Sequence, residues 1–188
     1  MIDGENLRHY VENVIKENEK KKELTIIDVN FEKMFDQALK DFKISKKIYY
    51  SAKLQICPET EKKSKIVIEK QRILKSRLEK EGYEFLIAGN VRPQIIKEKN
   101  NNKIVFREKG VDVRIAVDLI KFAVDKTYET IVLCSSDSDL QPAIREAKSR
   151  GLKIIYLGFE IMPNKGLTFT TNRTILLRNS EVISSLEK

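Results

Sequence analysis

The residues of this chain best suited to chemistry are carboxylates in three short motifs: Ile2-Asp3-Gly4-Glu5-Asn6-Leu7, Lys109-Gly110-Val111-Asp112 and Ser135-Ser136-Asp137-Ser138-Asp139. Asp137 and Asp139 follow the apolar run Thr130 to Cys134 and open a helical pattern. Aspartate is a good N-cap at such a junction, but two aspartates exceed what a single cap requires. Asp3 precedes Gly4, where a strand can turn tightly into a helix, and Asn6 competes with it as the cap. Asp112 falls in the first turn after Gly110, on the face continued by Ile115, Ala116 and Leu119. A helix dipole favours its charge there. Asp118 lies well around the same helix and is expected to meet a Lys, an Arg or solvent. If Asp3, Asp112 and Asp137 converge, their repulsion raises some of their pKa values unless a cation is present. A hard, oxygen-preferring ion such as Mg2+ or Mn2+ relieves that repulsion. It can also activate water and stabilise charge developing on a phosphate.

Other chemistries have little material to work with. One histidine, His9, and two cysteines, Cys57 and Cys134, cannot assemble the usual Cys/His zinc sites. Cys134, inside an apolar run, is expected to be a buried, inert thiol. The absence of G-x-G-x-x-G and Walker A patterns argues against a nucleotide cofactor. Asp3-Gly4-Glu5 also lacks the second aspartate that a haloacid-dehalogenase-like phosphotransferase would carry two residues on.

The 188 residues are 41% hydrophobic and 34% charged, which suits a single domain over 1–188. No apolar run approaches the roughly 20 residues needed to cross a membrane. The first residues resemble no signal peptide, so a cytoplasmic protein without membrane partners is expected. The net charge of +8 can attract a phosphate backbone, or it can reflect a lysine-rich surface alone.

These acids need a scaffold, and the hydrophobic pattern supplies one. Leu7, Tyr10, Val11, Val14 and Ile15 predict a helix over 6–20; Phe31, Met34, Phe35, Ala38, Leu39 and Phe42 predict another, capped by Asn30. A strand over 47–52, a helix over 62–81 closed by Gly82 and a strand over 83–87 follow. Two β-like runs, near 92–98 and 103–108, flank Asn100-Asn101-Asn102 and suggest a hairpin insertion. Beyond it come a helix over 111–125, a strand over 130–135, a helix over 139–149 and a strand over 153–158. From Thr168 onward, 173–178 and 181–186 each fit either helix or strand. The alternation implies an α/β fold, a three-layer α/β/α sandwich with a central, mainly parallel, Rossmann-like sheet. Ligands of such sheets bind beyond the carboxyl ends of the strands. Two residues make a short first strand for a place in such a sheet.

The three acidic motifs, in this order, resemble the NYN domain family, the LabA-like branch of the PIN-like nuclease superfamily. Ala116-Val117-Asp118, Leu140, Pro142, Gly151 and Leu157-Gly158-Phe159 continue the pattern, which spans nearly the whole chain. The resemblance implies a PIN-like sandwich and a divalent-metal-dependent endoribonuclease that uses Mg2+ or Mn2+. RNA, as single strands or structured loops, is the implied partner, with the phosphate left on the 5′ side of the new product. By motif match, Asp3, Asp112 and Asp137 bind metal, Asn6 orients water, metal or substrate, and Asp139 binds metal or a metal-bound water. Ser135 and Ser136 contact phosphate. Two positions depart from the family pattern: Ser136 stands where glycine is usual, and Leu140 where phenylalanine is often found.

Arg92, Lys97, Lys99, Lys103, Arg107 and Lys109 cluster around the hairpin and could track an RNA backbone. They equally suit a solvated sheet edge that lysines protect from pairing. Tyr49 and Tyr50 are candidates for base stacking, although strand alternation buries at least one. His9 is expected at the surface. The alternative to the nuclease is an RNA-binding or regulatory module of the same fold with weak or no catalysis. A homodimer is compatible with either.

Overall fold

The structure, a computed structural model, describes residues 1–56, 61–98 and 101–187; for 20, 92–98 and 101–107 it describes the backbone alone. The strands are β1 (Ile2–Asp3), β2 (Lys47–Lys53), β3 (Tyr83–Glu98), β4 (Asn101–Lys109), β5 (Thr130–Cys134), β6 (Lys153–Phe159) and β7 (Arg173–Leu177). They form one sheet in the order β4-β3-β2-β1-β5-β6-β7. All neighbours are parallel except β3 and β4.

The helices are α1 (Gly4–Glu17), α2 (Phe31–Leu39), α3 (Glu61–Lys80), α4 (Val111–Val124), α5 (Gln141–Ser149), α6 (Lys165–Thr170) and α7 (Asn179–Ser184). They divide between the two faces because each buries a single apolar stripe. Leu7, Val11, Met34, Leu78 and Val182 join one core with Tyr49, Phe85 and Phe159; Ile115, Leu119, Ile144 and Leu167 join the other with Ile48, Tyr50 and Tyr156. The period of two along β2 thus sends Tyr49 and Tyr50 into opposite cores. Both are buried, so neither offers a ring to a base. The three-layer α/β/α sandwich expected from the pattern is the fold.

The short β1 is central. Ile2 and Asp3 pair with Tyr49 and Tyr50 on one side, and Ile2 pairs with Cys134 on the other, where Cys134 N donates to Met1 O at 2.9 Å. Two longer neighbours supply the pairing that two residues cannot provide for themselves. Several boundaries differ from the sequence reading. α1 begins at Gly4 and ends at Glu17, and α2 stops before Phe42. Residues 139–140 belong to a 3₁₀ turn, Ser138–Leu140, that precedes α5. The strand over 83–87 and the first hairpin arm are one strand, β3, which pairs with β2 as far as Asn90 and with β4 from Asn90 onward. The expected hairpin thus forms the sheet's antiparallel edge. The ambiguous tail forms β7 and α7, which bury Leu177 and Val182. Cys57, Lys99 and Asn100 lie outside the described residues. Among the described residues no helix is long and apolar enough to cross a membrane.

Candidate active site

The chain winds from β1 outward to β2 and β3, and from β5 the opposite way to β6 and β7, so β1 and β5 flank the topological switch point. Loops leaving the carboxyl ends of two such strands diverge and open a crevice. Asp3 ends β1 there, and Ser135-Ser136-Asp137 leaves β5.

Asp3 is only 3% exposed. α1 starts directly against β2 because residue 4 is glycine: a Cβ there would stand 2.4 Å from the Tyr49 ring and 2.5 Å from Tyr50 O. Asp3 is the N-cap of α1, and its Oδ1 accepts from Asn6 N at 3.1 Å. Asn6 is thus the third helical residue and does not cap. The helix begins earlier than the apolar stripe indicated, and the third N–H is the one a cap satisfies. Asp3 Oδ2 accepts from Asn6 Nδ2 at 2.6 Å and from Ser135 Oγ at 3.0 Å. The carboxylate therefore caps a helix and also ties β1 to the loop after β5.

Ser135 passes the connection on. Its hydroxyl is fully buried and accepts from Asp137 N at 3.1 Å. Asp137 Oδ1 then accepts from Asp139 N at 2.9 Å, capping the 3₁₀ turn. Asp137 is half-buried and Asp139 is exposed. Ser136 O accepts from Asn164 Nδ2 at 2.9 Å, and Asn164 also caps α6 and donates its N–H to Tyr156 Oη at 3.0 Å. Asn164 thus braces the Ser-Ser-Asp loop from the next crossover. Sequence reasoning missed it; the signal was an asparagine directly after Pro163, where a helix cap is common.

Asp112 is half-buried at the second position of α4, and the N-cap, Gly110, makes no side-chain cap hydrogen bond. Glu108, at the end of β4, feels the charges of both Asp112 and Asp3. Burial above all, then the charges of Glu5, Asp3 and Asp112, push the Glu108 carboxyl up to about 8, with Arg8 partly opposing. Sequence reasoning passed over Glu108, although it adjoins the Lys-Gly-Val-Asp motif. Asp3 is also raised, first by burial and further by Asp137, against the hydrogen bonds from Asn6 and Ser135.

The remaining candidates separate clearly. Asp118 accepts from Tyr50 Oη and Arg114 Nε, each at 3.0 Å, and braces α4 as expected for an acid with an arginine partner. His9 is exposed, and its Nε2 lies 3.0 Å from Glu5 Oε1. Glu5 is also held by Arg8 at 2.6 Å. Burial pushes the Cys134 thiol up to about 12, which keeps it inert. Of the basic strip, Lys109 is exposed; the side chains of Arg92, Lys97, Lys103 and Arg107, and all of Lys99, lie outside the described set.

Among the described residues no three His, Cys, Asp or Glu side chains are grouped to hold a metal ion by themselves. Those residues thus form no closed protein cage of the structural-zinc kind. Mg2+ makes a different demand, because it keeps several waters and takes one or two carboxylates together with substrate oxygens. The all-oxygen donors here, with Asp3 repelled by Asp137 and Glu108 by Asp3 and Asp112, suit such a cation.

The Glu108 shift has a consequence for stability. An acid whose folded pKa exceeds its unfolded one stabilises the fold fully below the unfolded value, here 4.5, and that stability is lost as pH rises through about 8. In chelator, the melting temperature is expected to fall over this window, and Glu108→Gln to flatten the fall. With screening at a half-buried carboxyl, the difference is on the order of 1 kcal/mol, or about 2–4 °C for a chain of this size. Parallel melting curves of the two proteins from pH 5 to about 8.5 check it, and equal slopes would remove the assigned cluster.

The NYN domain model matches residues 1–177 of this chain. Among curated proteins, an uncharacterised protein of Methanocaldococcus jannaschii is 44% identical over 50 residues, which is 27% of this chain and 21% of that relative. The matched segment thus spans about a fifth of the relative's length. Among solved structures, a Vibrio parahaemolyticus protein of unknown function superposes with a TM-score of 0.54 at 17% identity, over 90% of this chain and 87% of that one. That likeness concerns the fold.

Proposed function

This chain belongs to the NYN domain family, whose PIN-like fold is generally that of ribonucleases, and on that premise we propose that it is a divalent-metal-dependent endoribonuclease acting on single-stranded or looped RNA. The observation that carries the proposal is the hydrogen-bonded chain Asn6–Asp3–Ser135–Asp137 across the switch point.

Asp3, Asp112 and Asp137 would hold Mg2+ or Mn2+, with Asp139 at the exposed end of the set. The bound ion supplies an activated water and a counter-charge for the phosphate. The protein's own part is positioning. Asn6 and Ser135 orient Asp3 and stabilise its charged form. Asn6 keeps its amide oxygen for water or substrate while its Nδ2 is spent on Asp3. Ser135, its hydroxyl buried between Asp3 Oδ2 and Asp137 N, holds the acids together rather than contacting phosphate, and Asn164 fixes the loop through Ser136 O. A network whose members already hold one another needs little reorganisation when substrate arrives.

The absence of a three-acid cage among the described residues favours a second reading, a weakly catalytic RNA-binding module. One experiment separates the two: labelled RNA and DNA of the same sequence incubated with Mg2+, Mn2+ or chelator. Metal-stimulated cleavage of RNA supports the nuclease. Salt-sensitive RNA binding without metal dependence or cleavage overturns it in favour of the module.

A further inference from the structure

Beside the acids lies a cavity of about 410 Å3, within the ~300–1,000 Å3 range of small-molecule sites. It is bounded by α1, by α3, by the Ile26–Asp28 turn and by the carboxyl end of β2. Its lining includes Glu5 and Glu108, the two carboxylates whose charges act on one another at the edge of the acidic cluster. One face of α3 forms the opposite wall, where Lys63, Val67 and Lys70 recur at helical spacing. Val67 is half exposed, an apolar residue at a cavity open to solvent. Neither lysine is paired with a carboxylate among the described residues.

We infer that this cavity is a nucleotide subsite, taking one unstacked base of a single-stranded RNA between Val67 and the Ile26 turn, with the adjoining phosphates on Lys63 and Lys70. The inference rests on the nuclease reading for its substrate class and deepens it. An apolar slot edged by carboxyl groups and cations matches a base ring, its polar edge and its backbone. A paired, stacked base cannot enter a slot between two helices, so single-stranded RNA is selected. The cavity thus sets how substrate approaches the acids, which the acids alone leave undetermined.

The test measures binding in chelator, where cleavage plays no part. A fluorescein-labelled single-stranded RNA octamer is titrated against wild type, Val67→Trp, Lys63→Ala/Lys70→Ala and Ile66→Trp. Val67→Trp fills the cavity and is expected to weaken binding at least about tenfold, because an excluded base forfeits its burial. Ile66→Trp, on the same helix but outside the lining, keeps wild-type affinity. The double lysine variant lowers the slope of log affinity against log salt by about 1.4, as two lost single-strand phosphate contacts require. A 4-thiouridine octamer should cross-link to α3 residues of the lining. Wild-type affinity in both Val67→Trp and the lysine variant overturns the subsite and leaves the nuclease reading intact. Binding that these variants lose, in a protein that cleaves nothing, upholds the subsite and overturns the nuclease.

Discussion

Asp137→Asn is expected to lower metal-stimulated RNA cleavage about a thousandfold while the protein stays folded. The substitution keeps the side chain's shape and an oxygen that can accept from Asp139 N, so the turn Ser138–Leu140 retains its cap. What disappears is one negative charge among acids that already repel one another. Charge stabilisation from a carboxylate-held cation contributes several kcal/mol to such a transition state. At 1.36 kcal/mol per tenfold, a loss of about 4 kcal/mol is a factor of about 10³. Stability should move the other way or not at all, because Asp137 raises the Asp3 pKa and its neutralisation relieves that repulsion. Single-turnover cleavage of labelled RNA in Mn2+, read beside melting curves in chelator, checks both halves. Full activity in the variant rules out Asp137 as a metal-binding acid.

Gly89→Ala should be the most damaging small substitution near the site, at about 2–5 kcal/mol. Gly89 has φ +77°, a left-handed conformation that costs an L-residue roughly 1–2 kcal/mol. A Cβ there would also stand 2.2 Å from Lys109 O and 3.0 Å from the Gly110 carbonyl carbon. Backbone atoms cannot swing aside as a flexible side chain can, so the turn from β4 into α4 must move, adding about 1–3 kcal/mol. For a chain of this size the sum is about 5–15 °C in melting temperature. Gly82→Ala is the internal control: its φ is +80°, but nothing lies within 4 Å of the added carbon, so only the conformational part remains. The displaced turn lies between Glu108 and Asp112, so Gly89→Ala should lose cleavage activity at temperatures where it is still folded. Melting curves and activity at a fixed low temperature distinguish this from unfolding alone. A loss of stability equal to that of Gly82→Ala would remove the packing argument.

What the sequence determined by itself is the class of fold, and it singled out the candidate acids. Apolar periodicity is a local property, and the helix stripes of α1, α2 and α4 and the buried runs of β5 and β6 carried it plainly. The scarcity of histidine and cysteine left the chemistry mainly to carboxylates, lysines or hydroxyls before any contact was known. Local pattern was silent wherever a partner decides. β1 is two residues long, and only β2 and β5 make it a central strand. β3 runs on past Asn90 because β4 is there to pair with it, and no period within 83–98 announces that. The tail carries too short a pattern to choose between helix and strand until β6 accepts β7.

The acids divide in the same way. Asp3 and Asp137 could each be named as a cap or as a ligand, and spacing alone cannot choose between two roles at 134 residues' separation. The fold makes both residues caps, each of its own turn, and Ser135 joins them across β1 and β5. Glu108 shows the limit most clearly. In the sequence it is one of many surface-type glutamates, and its altered chemistry exists only because the edge strand delivers it to Glu5, Asp3 and Asp112 in partly desolvated surroundings. Residue type and local period are written in the chain, whereas desolvation and the sum of neighbouring charges are properties of the assembled molecule.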